Sequence, residues 1–512
     1  MLSLTGRVPR VASLPETNPS AVGAGGTRPT QAELDRSVVS GIAWTGAMRS
    51  VGQAVQWAAA LVVVRLLSPA DYGLVAMATA YLGLVEMFTE FGLGAAIVQR
   101  QTLSESQIAR LGGVSLVTST FFAAVSVAVS GLVAAFFDEP RVRLIVIVLS
   151  STFVLNSIGV VSRSLMMRDR DFRRLAWAQT AFNGAYAVSS LALAALGFQY
   201  WSLVLASIVG AAARMLVSLA WRPHAISWPR DLASISSELW FGWHIVVGRF
   251  ARYLRKFSDI LIVSRVFGTA AAGVYNVAWT QANIPVNRGT QIITELTPAI
   301  LAAVQNDLPA LRRYIRIFTE GIALLAFPAT VGLALLAEDF VLLAFGERWA
   351  ATVGPLRVLA LVAALRSITP VLSQVLVARD QAKKSMHFGV AAAVIVPIFL
   401  LIGSRWGLTG VALGWLVGHP FVMATVLLPP ALRAADMRLV EYLGALLPAT
   451  VACAVMALAV VGVRLALPSE WPLALGAALE AGVGAAVYGV WVFKANRSRL
   501  QSLLALVRRR RG

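Results

Sequence analysis

The sequence predicts an all-α, polytopic membrane protein of about 14 transmembrane helices, built as two six-helix lobes in parallel repeat plus two appended helices. Three observations carry that expectation: a composition too apolar for water, a succession of apolar stretches of bilayer length, and a self-similarity at an offset of 200 residues. Of 512 residues, 58% are hydrophobic and 13% charged, with a mean hydropathy of +0.73. Soluble chains are about 45–50% apolar and about 25% charged. Disorder and collagen are excluded on those figures, and a disulfide scaffold is excluded because Cys453 is the only cysteine. Lys and Arg number 44 against 25 Asp and Glu, a net charge of +19. In a membrane protein that excess marks the loops retained in the cytoplasm, so no nucleic-acid partner is needed to explain it.

Along the chain, residues 1–36 are polar and rich in small side chains, and read as a disordered cytoplasmic tail without a signal-peptide core. Apolar stretches then follow at 41–66, 73–97, 111–136, 143–166, 175–196, 201–221, 240–266, 271–303, 315–336, 354–377, 387–403, 408–428, 443–466 and 472–493. Each is long enough to cross roughly 30 Å of hydrocarbon as a helix. With the N-terminus inside, Arg100, Arg110, Arg168, Arg170, Arg173, Arg174, Arg222, Arg230, Arg312, Arg313, Arg316, Arg379, Lys383, Lys384, Arg433 and Arg438 fall in internal loops. External loops hold little beyond Arg141, Arg143, Arg348 and Arg405, so both termini are expected in the cytoplasm.

The repeat defines the organisation. The stretch from Met48-Arg49 through Leu61-Val-Val-Val-Arg65 to Tyr72-Gly73-Leu74 matches Gly248-Arg249 through Leu261-Ile-Val-Ser-Arg265 to Ala272-Gly273-Val274. Arg168-Asp169 recurs as Arg379-Asp380, and Leu203–Gly210 as Val411–Gly418. Six crossings per copy bring both copies into the membrane the same way round, with a cavity expected between them. The expected divisions are a tail at 1–36, a first lobe at 37–222, a linker at 223–239, a second lobe at 240–430, helices 13 and 14 at 431–493 and a basic tail at 494–512. That last tail, with Lys494, Arg497, Arg499 and Arg508 to Arg511, suits the anionic inner leaflet.

Leu67-Ser-Pro-Ala-Asp-Tyr-Gly73, followed by Phe88-Thr-Glu-Phe-Gly-Leu-Gly-Ala-Ala-Ile-Val-Gln-Arg100, resembles the opening of Wzx-type polysaccharide exporters. Leu376-Val-Ala-Arg-Asp-Gln-Ala-Lys-Lys384 resembles the family's basic loop after span 10. The resemblance covers roughly residues 38–430 and is nearest to the lipopolysaccharide/colanic-acid branch of the multidrug/oligosaccharidyl-lipid/polysaccharide flippase superfamily. It implies two six-helix lobes around a V-shaped cavity and movement of undecaprenyl-pyrophosphate-linked sugar units to the outer leaflet. It also implies a lipid-linked oligosaccharide as cargo, with membrane lipids and the glycosyltransferases and polymerase of the same pathway as partners.

Charges inside the spans locate the candidate site. A charge at mid-membrane costs roughly 2.5–3.5 kcal/mol on insertion scales, so each needs a hydrated surface or a partner. On span 7, Arg249, Arg252, Lys256 and Asp259 fall within roughly an 80° arc, with Arg255 some 40° further round. Facing lipid, the four cations would cost about 10 kcal/mol or more, so they are expected to face the cavity. Guanidinium groups grip phosphate bidentately, which suits a pyrophosphate, and Arg49 on span 1 is the repeat partner of Arg249. Snorkelling and pairing with Asp259 are the competing accounts.

Gln53 and Gln56 share the face of Arg49, while Asn276, Thr280, Asn283, Asn287, Gln291 and Thr294 make one polar stripe on span 8, with Pro285 expected to bend it. Amides both donate and accept, which suits sugar hydroxyls, although helix–helix hydrogen bonding uses the same groups. Glu86 and Glu90 on span 2, with Asp259 and Glu295, are candidates for ion coupling or charge balance. Arg214 and Arg366 are further intramembrane cations without an evident partner in sequence.

There is no Gly-x-x-x-x-Gly-Lys-Ser/Thr loop, no Cys/His cluster with metal spacing and no nucleophile elbow. The expectation is therefore a transporter without cofactor, metal or catalytic residue, driven by an ion or substrate gradient and not by ATP. The alternatives are a peptidoglycan-precursor or multidrug exporter of the same fold, or a membrane polymerase or glycosyltransferase. A cation exporter would want acids where span 7 is basic, and such enzymes usually need a larger external loop than the sequence offers.

Overall fold

The computed structural model describes residues 56–89, 93–100, 102–228, 236–468 and 470–495, with side chains except on 95, 236–252, 254–256, 288, 289, 292 and 495. All belong to the unit Arg49–Gly512. The expected tail at 1–36, residues 496–512 of the basic tail, and Arg49, Gln53 and Glu90 lie outside the described residues, as does much of the 223–239 linker.

The described chain is helical, and no strand occurs among the described residues. The first half contains α1 (Gln56–Leu66), α2 (Pro69–Thr89), α3 (Leu93–Gln99), α4 (Glu105–Phe137), α5 (Arg141–Arg168), α6 (Phe172–Ala195) and α7 (Trp201–Trp221). The second half contains α8 (Ser236–Gly289), α9 (Gln291–Ala303), α10 (Leu308–Leu335), α11 (Ala337–Ala344), α12 (Val353–Ser367), α13 (Thr369–Ala378), α14 (Ala382–Gly403), α15 (Gly407–Val422) and α16 (Leu428–Ala435). Two more helices follow, α17 (Leu439–Ala466) and α18 (Leu473–Ala495).

Ten helical stretches among the described residues are long and apolar enough to cross a membrane. They omit α1, described only from Gln56, and α6. Local chemistry sets the ends. Ser104 and Gln107 cap α4 reciprocally, and the side chains of Asp171 and Asp307 accept from Arg174 and Ala310 at the starts of α6 and α10.

Two boundaries differ from the sequence reading. The stretch 271–303 is not one rod with a bend at Pro285: α8 ends at Gly289 and α9 begins at Gln291. Pro285 removes one backbone donor, and Asn287 and Gly289 after it have weak helix propensity, so the break comes a turn later. The stretch 408–428 passes through a π-helical turn at Met423–Leu427 just after Pro420. Upstream, α8 contains its own break, Gly268 with φ 79°, which separates the segments expected as spans 7 and 8.

Buried side chains form one large core from the second half and its appended helices, and smaller cores in the first half. The exceptions cross over. Val64 belongs to the second-half core, while Ile260 and Ala272 belong to one in the first half.

At this junction α2 and α8 meet through Gly73 and Gly273, the pair related by the 200-residue offset. A Cβ on Gly73 would land on the carbonyl oxygen of Thr269, and one on Gly273 would land on that of Pro69. The contact is therefore reciprocal, as across a two-fold axis. Around it, Ser68 and Asp71 form a capping box, and the other carboxylate oxygen of Asp71 accepts from Tyr200 N at 3.0 Å. Tyr72 packs edge-on against Trp349 at 5.4 Å, and Trp349 Nε1 donates to Val64 O at 3.0 Å. Arg65 donates to the carbonyls of Ala344 and Leu343 at the end of α11. Thr269 donates its hydroxyl to Glu139 Oε2 at 3.1 Å.

The other end of the helices is tied differently, by Arg312–Asp436 at 2.6 Å, Arg222–Asp169 at 3.3 Å and Arg379 donating to the carbonyls of Gln305 and Ala434. Helices α17 and α18 pack on α10 and α11, where Arg464 bonds both Glu480 and Asp339 at 2.7 and 2.6 Å. A largely apolar cavity of about 800 Å³ runs beside this triad, lined in part by Phe340, Met456 and Tyr488.

Two outcomes are expected at the glycine junction. Gly73→Ala and Gly273→Ala should each destabilise the protein by roughly 1–3 kcal/mol, measured as thermal unfolding in detergent. Because each substitution alone forces the same helix crossing apart, the double variant should lose clearly less than the sum of the singles. Glu139 is held below the usual carboxylate range, first by its hydrogen bond from the Arg141 guanidinium. A carboxyl held down in this way adds stability above its unfolded pKa and loses it as pH falls through the folded value. Wild type should therefore be more stable than Glu139→Gln at neutral pH, and the two should converge below about pH 4.

Candidate functional site

The basic positions expected on span 7 lie in the first segment of α8. The side chains of Arg249, Arg252, Arg255 and Lys256 are outside the described ones, but their neighbours fix the helix. Tyr253 is buried, donates its hydroxyl to Ala80 O on α2, stacks on Phe257 with centroids 4.3 Å apart, and occupies room left by Gly83. Six residues on, Asp259 is 3% exposed and turned toward the second half. Its Oδ1 accepts from Ile260 N at 2.8 Å and its Oδ2 from Trp415 Nε1 on α15 at 3.2 Å. Counting 100° per residue from Tyr253, positions 249, 256 and 252 fall between roughly 40° and 100° round the helix, with 259 at about 120°. Three basic positions thus share the sector between the direction of α2 and that of α15. Position 255 lies roughly 40° beyond Asp259.

Asp259 belongs to a network that sequence alone did not assemble. The Arg366 guanidinium lies 4.7 Å from the Trp279 ring and 5.2 Å from that of Trp415, and acts electrostatically on Asp259. Indole faces attract a guanidinium through their quadrupole, so two rings and one carboxylate together hold a cation that hydrocarbon would reject. His419, 2% exposed, shares a hydrogen bond with Thr369 at 3.1 Å beside the same tryptophan.

The amide stripe on the second segment of α8 is divided by exposure. Val274, Tyr275, Val277, Ala278 and Ala282 are buried, whereas Thr280 and Asn287 are exposed, and Asn276 and Asn283 half-buried. Asn283 donates to Trp279 O at 2.7 Å, so part of its capacity serves its own helix. Gln291 lies beyond the break on α9 and donates to Glu295 at 2.7 Å. Gln56 is half-buried at the start of the described part of α1.

In the first half, Glu86 is exposed on α2 and accepts from Asn156 Nδ2 at 3.2 Å. Asn156 also accepts from Arg214 at its side-chain oxygen, 2.8 Å, and from Arg163 at its carbonyl, 3.1 Å. Arg214, left without a partner by the sequence reading, stands over the Phe182 ring at 4.9 Å. Asn156 and Arg163 were missed. Asn156 carries no charge to draw attention, and Arg163 sits close to the basic run at Arg168. Among the described residues, no group of three or more His, Cys, Asp and Glu side chains could hold a metal ion.

The family described as "Polysaccharide biosynthesis protein" matches residues 62–354. The Lipopolysaccharide biosynthesis protein WzxC of Escherichia coli (strain K12) is 24% identical over 392 residues, 75% of this chain and 79% of that protein. The Succinoglycan biosynthesis transport protein ExoT of Rhizobium meliloti (strain 1021) is 24% identical over 319 residues, 62% of this chain and 64% of that one. Among solved structures, the Lipid II flippase MurJ in its inward closed conformation superposes with a TM-score of 0.70 at 12% identity, over 89% of this chain and all of that one. The chain shares its fold with MurJ, and with more than half its length matched, it belongs to the polysaccharide biosynthesis protein family.

Proposed function

We propose that the protein carries a lipid-linked oligosaccharide, joined through pyrophosphate to undecaprenol, across the bacterial cytoplasmic membrane by alternating access. One observation carries this reading. A helix segment with basic positions 249, 252, 255 and 256 is anchored to the first half by Tyr253 and to the second by Asp259. The sector between those anchors is where a headgroup held by both halves would meet the chain. The names of the relatives agree: one is a lipopolysaccharide biosynthesis protein, another a succinoglycan transport protein.

In this reading Arg49, Arg249, Arg252, Arg255 and Lys256 hold the pyrophosphate. Gln53, Gln56, Asn276, Thr280, Asn283, Asn287 and Gln291 meet the sugar, and Glu86, Glu90, Asp259 and Glu295 balance charge or carry a coupling ion. The halves are lobes at 37–222 and 240–430, and the glycine junction is the external end, with both termini in the cytoplasm. Transport draws on a gradient and not on ATP, and the chain catalyses no reaction. Glycosyltransferases and a polymerase of the same pathway supply and consume the cargo.

Reconstituted protein should move a fluorescent polyprenyl-pyrophosphate oligosaccharide between leaflets without nucleotide. The Arg252→Ala/Lys256→Ala variant, inserted at normal levels, should lose roughly tenfold or more for each charge-assisted contact removed. Wild-type rates in that variant, or a strict ATP requirement, would overturn the assignment.

A further inference from the structure

The span-7 segment does not account for the polar cluster inside the first half. Arg163, Arg214, Asn156 and Glu86 come from α5, α7 and α2, and all lie inside membrane-length helices. Arg214 stands seven residues before the end of α7, roughly 10 Å along the axis, and Asn156 twelve before the end of α5, roughly 18 Å. Ionisable groups at that depth are rare, and they mark functional sites more often than ornament.

Glycines border the surroundings of both arginines. A Cβ on Gly159 would come within 2.5 Å of Arg163 Nη1, the far end of a flexible side chain, so Gly159 leaves room for that guanidinium to fold back along α5. A Cβ on Gly210 would crowd the Phe182 ring at 3.1 Å. That ring stacks on Tyr186 at 6.1 Å and carries the Arg214 guanidinium on its face. The two guanidinium groups converge on one residue, since Arg163 Nη2 bonds the carbonyl of Asn156 and Arg214 Nη2 bonds its side-chain oxygen. The amide is turned by Glu86, which takes its NH₂. The cluster adjoins the basic segment of α8, because Tyr253 packs on Gly83, three residues before Glu86.

We propose that Arg163 and Arg214 form a second oxyanion site, within the first half, which takes an anionic oxygen of the cargo distinct from those held at span 7. The assignment rests on the transport reading for its cargo, though not for its chemistry. Asn156 Oδ1, a neutral acceptor for the Arg214 guanidinium, stands where a phosphate or sugar-carboxylate oxygen binds, and Arg163 is held beside it on the carbonyl of the same residue. A charge-assisted bond is about twice as strong as the neutral one it replaces. Glu86 keeps the Asn156 amide aside and supplies one negative charge against the two cations. The chemistry is the same for a phosphate oxygen and for a uronic-acid carboxylate.

The test is direct binding to the full-length protein in detergent by calorimetry, with inorganic pyrophosphate and a glucuronate-containing disaccharide as separate probes. The Arg163→Gln/Arg214→Gln variant should bind at least one probe roughly tenfold more weakly than wild type. Loss confined to the disaccharide identifies a sugar carboxylate, and loss confined to pyrophosphate identifies a phosphate oxygen. Asn156→Asp, which places a carboxylate on the Arg214 guanidinium and keeps both arginines, should show the same loss even if the double variant folds poorly. Unchanged affinities in both variants, or no binding of either probe by wild type, would overturn the site. Those outcomes are independent of leaflet-to-leaflet transport: a wild type that binds but does not move lipid would sink the transport reading and leave the site standing.

Discussion

A guanidinium group cannot lie bare in hydrocarbon, and that constraint organises the interior of this protein. Arg366 is held between two indole faces near Asp259. Arg214 is held on a phenyl face, with the Asn156 oxygen as acceptor. Each half thus contains an arginine placed on an aromatic surface, with a carboxylate in the same network. These placements fix the facing sides of several helices at once, since α8, α12 and α15 share one cluster and α2, α5, α6 and α7 the other. Polar groups that would each be costly alone become the means by which separate helices are oriented.

The second organising feature is the close approach of backbones at Gly73 and Gly273. Without lipid-driven hydrophobic attraction between helices, tight packing of small residues is the main source of helix association in a bilayer. The Ser68–Gly73 motif supports it residue by residue. Ser68 and Asp71 start α2, Asp71 reaches to Tyr200, Tyr72 meets Trp349, and Gly73 makes the crossing. The second copy has no Ser or Asp at the corresponding places, and there the turn is made by Gly268 in a left-handed conformation. One geometry is reached by two local solutions.

Much of this was legible in the sequence, for physical reasons. Apolar runs of bilayer length identify helices because nothing else satisfies the backbone in lipid. The 200-residue offset placed Gly73 opposite Gly273 in register, although the alignment carried no information that they touch. The polar stripe read along span 8 is cut by the break at Thr290, so Gln291 and Thr294 belong to α9 while Asn276, Thr280, Asn283 and Asn287 stay on α8. What could not be read were partners distant along the chain. Arg366 finds Trp279 and Trp415, and Arg214 finds Asn156 and Phe182, through contacts between helices whose order in sequence says nothing about adjacency. The break at Thr290 was missed because Pro285 looked like the weak point, while the Gly289-Thr290 pair that follows was weaker.

The attachment of α17 and α18 divides the molecule unequally. Arg464 ties them to Asp339, and Cys453 and Tyr442 sit in the core of the second half. Any rocking between halves therefore sets a lighter body of helices against a heavier one with a wider lipid-facing perimeter. Hydrophobic mismatch acts at the boundary between helices and lipid, so the two added helices give a change in bilayer thickness more to act on in one half than in the other.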